Sequence, residues 1–153
     1  SASYDRYLSR LDEKYLKSLA QEVIGNYFKI TYVENPGVAF GISVGKYLPF
    51  ITLISVFAIL LVVYYLYQER HKSLEIRLGL ALILGGAIGN MIDRCLMIIM
   101  PASYSGVVDF IDVGFNHYRW YIFNVADSAV TIGIVLIMIH SLLNQKNTVS
   151  ASS

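Results

Sequence analysis

Apolar and polar positions follow one rule at the start of this chain and another over most of its length. Between residues 4 and 24, Tyr4, Leu8, Leu11, Tyr15 and Leu19 recur at helical spacing, flanked by Tyr7 and Leu16. Asp5, Arg6, Arg10, Asp12, Glu13, Lys14 and Lys17 fill the other face. The pattern predicts an amphipathic surface helix over 4–24, lying on headgroups or packed on the protein, and ended by Gly25-Asn26. From Tyr27 to Val33 the period becomes two, with Phe28, Ile30 and Tyr32 alternating against Lys29 and Thr31. That predicts a strand, and Glu34-Asn35-Pro36-Gly37 has the composition of a turn, so strand and turn occupy 27–40.

Three apolar runs come next, each long enough for a helix to cross the hydrocarbon core, which takes about 20 residues. They cover 47–67, 78–100 and 120–143. The first has no charge, the second carries Asp93-Arg94 near its end, and the third has only Asp127. Arg70, Lys72 and Arg77 lie in the connection between the first two, which the positive-inside rule assigns to the cytoplasm. On that orientation Asn35, Asp93, Asp109 and Asp127 all gather at the outer interface. Residues 4–24 also fall outside, which implies a first membrane helix that is missing or altered.

Composition sharpens this to one integral-membrane domain over 1–153. The chain is 56% hydrophobic and 15% charged, where soluble domains carry about 25% charged residues. Mean hydropathy is +0.54. A net charge of +1 without a basic block gives no nucleic-acid signal. The single cysteine, Cys95, excludes an intrachain disulfide and any paired-cysteine metal site, and no HExxH is present. Neither a metal nor a cofactor is expected.

Candidate chemistry lies where carboxylates meet apolar segments, because an acid beside lipid is costly unless it is paired or used. Asp127 enters a long uncharged run, and Asp109 stands between Val108 and Phe110. Brought together, two such acids share a proton, and the pair can activate water without a covalent intermediate. Asp112 reads as a solvated or turn-forming residue. Asn90, Asp93 and Arg94 share a helix face by their i, i+3 and i+4 spacing. That face is either an interfacial ion pair or a support for a catalytic group. Gly85 and Gly89, four apart, suit close helix approach. No Gly-x-Ser-x-Gly elbow occurs. A proton-coupled transporter subunit and an inactive binding module are the competing classes; the first needs polar residues near the bilayer midplane, whereas here they cluster at one end.

Four ordered blocks then resemble the lipoprotein signal peptidases, the signal peptidase II family: Glu34-Asn35-Pro36-Gly37-Val38-Ala39-Phe40, Gly85 through Arg94, Val107-Val108-Asp109-Phe110-Ile111, and Phe123-Asn124-Val125-Ala126-Asp127-Ser128. The resemblance implies a small transmembrane helical bundle, mainly α, with a short extracytoplasmic β-sheet cradle. It implies Asp109 and Asp127 as an aspartyl dyad, with Asn35, Gly37, Asn90, Asp93, Arg94 and Asn124 as binding and supporting residues. The implied reaction is cleavage of the signal peptide of a diacylglyceryl-modified prolipoprotein in the bacterial inner membrane. Membrane lipids and cyclic-peptide inhibitors such as globomycin are the other implied ligands. Family members begin with a membrane helix carrying an Asp-Gln-x-x-Lys-like motif, which Leu11 through Lys17 only loosely echo, so the N-terminal helix is expected to be atypical or replaced.

Overall fold

The computed structural model describes residues 20–38, 42–43, 47–115 and 118–150. In chain order the elements are β1 (Gln21–Ile24), β2 (Phe28–Asn35), β3 (Gly37–Val38), β4 (Ile42–Ser43), α1 (Leu48–Gln68), α2 (Leu74–Ile99), β5 (Val107–Phe115), β6 (Tyr118–Arg119) and α3 (Val125–Ser150). They divide into two compact units. One takes the chain up to Leu53 with Met91–Val125; the other takes Ile54–Asn90 and the chain from Ala126 onward.

The first unit holds an antiparallel sheet in the order β1-β2-β5-β6, and a two-stranded ladder of β3 and β4. Where the end of an amphipathic helix was expected, Gln21–Ile24 is strand β1, paired with β2 through Gln21↔Ile30 and Glu22↔Lys29. Gly25-Asn26 breaks the chain as expected, but as a hairpin turn. Gly25 takes φ +48°, a conformation glycine adopts without steric cost, and Tyr27 N donates to Ile24 O. Cross-strand pairing, with Lys29 bonded to Glu22 at 2.9 Å, decides for strand over helix in this short segment. The earlier part of the expected helix, 4–19, lies outside the described residues.

Strand β2 runs to Asn35, and its pairing with β5 shifts register once. Ile30 faces Ile111, but Val33 faces Asp109, so three steps on β2 match two on β5. This β-bulge places Thr31 and Val33, which a straight strand would align on one face, on opposite faces. Both are buried, at 4% and 3% exposure.

The three long apolar runs are helices of the length and hydropathy that crosses a membrane: Leu48–Gln68, Leu74–Ile99 and Val125–Asn144. Their side chains meet little protein; Phe57 is 72% exposed and Ile99 74%. Such surface is stable when the surrounding solvent is hydrocarbon. The chain is therefore a multi-pass membrane protein. Helix α2 begins earlier than the apolar run, after Ser73, whose carbonyl accepts the Arg77 N–H, and with Glu75 in its first turn. Helix α3 begins at Val125 rather than at 120, because 120–123 are bound to β5: Trp120 N donates to Val113 O and Phe123 N to Ile111 O.

In the second unit α2 and α3 touch through small residues. Gly86 is buried under the Ala126 carbonyl, and a Cβ there would overlap it and stand 2.7 Å from Val130 Cγ2. Farther along, Gly79 and Gly133 repeat the approach, each against the other's carbonyl. Gly85, which the four-residue spacing with Gly89 singled out, has open space around its Cβ position. Its neighbour makes the helix contact.

Candidate active site

Asp109 sits on β5 opposite Val33, with 4% exposure. Asn35 Nδ2 donates to its Oδ2 at 3.1 Å, and Asn124 Nδ2 donates to its Oδ1 at 2.8 Å. A buried carboxylate without donors would be strongly penalised, whereas each hydrogen bond to its charged form is worth about 1.5–3 kcal/mol. Register supplies one donor, since Asn35 faces Val107, two positions from Asp109 and on the same face. The start of α3 supplies the other: Asn124 stands at the N-cap position, 5% exposed, directly after Phe123, whose carbonyl accepts the Phe110 and Ile111 N–H groups.

Two further contacts hold this end of the sheet. Asp93 on α2 accepts the Val108 N–H through Oδ2 at 3.2 Å, tying the helix to the residue before Asp109. Gly106 packs on the Glu34–Asn35 backbone so closely that a Cβ would lie 2.5 Å from Asn35 N and C. Glu34 reinforces that approach by accepting hydrogen bonds from the Ser105 hydroxyl, the Ser105 N–H and the Tyr32 hydroxyl. Partial burial pushes the Glu34 carboxyl up, but the Ser105 and Tyr32 donors together outweigh it and hold it below its ordinary value. The same hydrogen bond to Glu34, with burial adding to it, raises the Tyr32 phenol to about 12.

In the second unit Asp127 lies in the first turn of α3, where the helix dipole favours an acid. Asn90 Nδ2, one turn beyond Gly86 on α2, donates to its Oδ1 at 2.8 Å. The close approach at Gly86 allows that reach. Of the other expected residues, Arg94 is half-buried on α2, and Gly37 opens β3, paired with Ser43.

Asp112 departs from expectation. It is not a solvated turn residue but a buried carboxylate, 6% exposed, in the middle of β5. Arg119 reaches its Oδ1 with Nε at 2.9 Å and with Nη2 at 2.8 Å, and Thr31 Oγ1 donates to Oδ2 at 3.3 Å. Thr31 lies two positions from Lys29, the partner of Asp112 in the ladder, and so shares its face. A trace was legible: Asp109 and Asp112 are an odd number of positions apart, so in one strand they serve opposite faces and need separate partners. Glu34 and Ser105 left no comparable trace.

Comparison with known proteins agrees with this architecture. Residues 5–143 match the family described as signal peptidase (SPase) II. A lipoprotein signal peptidase of Syntrophus aciditrophicus is 38% identical over 128 residues, covering 81% of this chain and 75% of that protein. One from Lactobacillus gasseri is 43% identical over 118 residues, covering 77% and 70%. Two bacterial membrane enzyme structures solved by the in meso method superpose with TM-scores of 0.72 and 0.68, at 37% and 34% identity. The first alignment covers 84% of this chain and 73% of that one, the second 92% and 84%. With the family matched over nearly the whole chain and its helices suited to a bilayer, this protein belongs to the signal peptidase II family of membrane peptidases.

Proposed function

We propose that this chain is a single integral-membrane aspartic endopeptidase that removes signal peptides from diacylglyceryl-modified prolipoproteins, with Asp109 and Asp127 as its dyad. One observation carries the assignment: both carboxylates are held by carboxamide donors, Asp109 by Asn35 and Asn124 and Asp127 by Asn90. The chain itself supports one shared centre, because Asn124 and Asp127 are at i and i+3, as are Asn90 and Asp93.

In the proposed reaction one aspartate is ionised and the other protonated, since adjacent like charges resist double ionisation. The ionised carboxylate takes a proton from water as its oxygen attacks the scissile carbonyl, and the protonated one gives its proton to the carbonyl oxygen. Collapse of the gem-diol intermediate breaks the C–N bond: the leaving amine takes the proton held by the first carboxylate, and one diol hydroxyl returns its proton to the second, restoring the starting pair. Arg94 and Gly37 contribute to the substrate side, where acyl chains of the lipid-modified cysteine lie along apolar helix surface and cyclic peptides such as globomycin compete. Arg70 and Lys72 between α1 and α2, with Arg77 in the first turn of α2, favour the cytoplasmic side of a bacterial inner membrane for that end of the helices. The sheet and both aspartates then lie at the outer face.

Asp109→Asn and Asp127→Asn, assayed on a prolipoprotein peptide with a diacylglyceryl cysteine, should each lower turnover by about 10²–10⁴-fold. Both should keep the wild-type unfolding transition in detergent. Full turnover by either folded variant would refute the dyad.

A further inference from the structure

We infer that Asp112 and Arg119 form a positioning pair for the candidate catalytic carboxylate Asp109, acting through Asn124. The inference rests on the dyad proposed above. Asp112 is buried three residues along β5 from Asp109, and its two oxygens gather Arg119 from β6 and Thr31 from β2. Arg119 also donates through Nη1 to Asn26 O at 3.1 Å, in the β1–β2 turn. Arg119 thus fastens β6 both to its neighbour β5, through the ion pair, and to the β1–β2 turn.

The segment after β6 links this pair to Asp109. Gly114 faces Arg119, then Trp120 N donates to Val113 O, and Phe123 exchanges hydrogen bonds with Ile111 while also accepting from Phe110. The chain from Tyr118 to Phe123 therefore runs back along β5 and delivers Asn124 to Asp109 Oδ1 at 2.8 Å. Strand β6 has only two residues, and both are exposed, so burial of apolar surface does little to hold this segment. The charge-assisted bonds to Asp112 fix its start, and the backbone bonds of Trp120 and Phe123 fix the rest. With the ion pair lost, only that backbone ladder keeps the segment in register on β5, and any shift it then makes moves the amide that holds Asp109. A displacement near 1 Å at a reacting group costs about 10²-fold in rate. Neither Asp112 nor Arg119 belongs to the dyad or its carboxamides, so substrate affinity should be little changed.

The test uses the full chain in detergent or proteoliposomes with a diacylglyceryl-cysteine prolipoprotein peptide. Arg119→Gln should lower kcat by about 10–100-fold with KM within about twofold. Asp112→Asn should do the same, and the double variant should be no worse than either single, as for one coupled unit. Arg119→Lys, which keeps the charge but has one donor nitrogen in place of three, should fall between wild type and Arg119→Gln. The Arg119 side chain is 37% exposed, so these replacements leave no buried void. If Arg119→Gln loses its unfolding transition, Arg119→Lys decides: lowered kcat at unchanged KM supports positioning, and wild-type kcat overturns it. Asp109→Asn is run in parallel. An inactive Asp109→Asn beside a full-rate Arg119→Gln overturns the positioning pair alone, whereas a fully active Asp109→Asn overturns the dyad and this inference with it.

Discussion

Two adjacent glycines should respond in opposite ways to the same added methyl. In Gly86→Ala the new Cβ would stand 2.7 Å from Val130 Cγ2 and 3.2 Å from the Ala126 carbonyl carbon, with the Ala126 oxygen overlapped. Carbon atoms settle at about 3.5–4.0 Å, so α2 and α3 must separate locally by about 1 Å. Val130 cannot simply rotate away, because a β-branched side chain in a helix has essentially one χ1 well. The Asn90–Asp127 hydrogen bond, 2.8 Å in the native protein, would then stretch beyond the ordinary limit of about 3.2 Å. Overpacking costs about 1–3 kcal/mol, and a hydrogen bond to a charged group is worth about 1.5–3 kcal/mol. The structure will relax along whichever of these yields first. Thermal unfolding in detergent should show a Tm lowered by about 2–10 °C, and turnover should fall by about 10–100-fold as Asp127 loses its support. Gly85→Ala meets nothing within 4 Å and should leave turnover intact, with a gain of up to about 1 kcal/mol from helix propensity. Adding Val130→Ala to Gly86→Ala should recover only part of the loss, because the Ala126 carbonyl remains in the way. A Gly86→Ala protein that matches Gly85→Ala in both Tm and turnover would refute the helix-contact reasoning.

Gly106→Ala should force β5 from the Glu34–Asn35 backbone, lowering stability by about 1–3 kcal/mol and disrupting the Asn35–Asp109 bond; unchanged Tm and turnover would contradict that. Asn90→Ala should leave KM near wild type and reduce kcat, whereas a pure KM effect would assign Asn90 to substrate binding instead. Glu34 has a folded-state pKa below its ordinary 4.5, so its stabilising contribution is present above pH 4.5 and lost as pH falls through the lowered value. Glu34→Gln should flatten the acid limb of Tm against pH, and superimposable limbs would argue against the Ser105 and Tyr32 clamp. Tyr32 is shifted the other way, from 10.0 to about 12, so its contribution is complete below pH 10 and lost as pH rises toward 12. Tyr32→Phe should remove that alkaline step.

Length and hydropathy alone marked three spanning helices, because roughly 20 apolar residues have few other stable places. The four motif blocks likewise identified the family and singled out Asp109, Asp127 and their carboxamides, since local residue order carries those motifs. Other features depended on partners distant in the chain. Asp112 looked solvated until the pairing of β2, which brings Thr31, and the return of Arg119 enclosed it, and Thr31 lies 81 positions away from it. Gln21–Ile24 carried the end of a helical pattern, yet pairing with β2 made it a strand. Gly85 and Gly86 are indistinguishable by composition, and only the path of α3 selected the second. Apolar patterning sets which segments leave water, a property each segment has by itself. Register, helix contact and the burial of a particular carboxylate are properties of pairs, so they are decided only when the tertiary structure brings both members together.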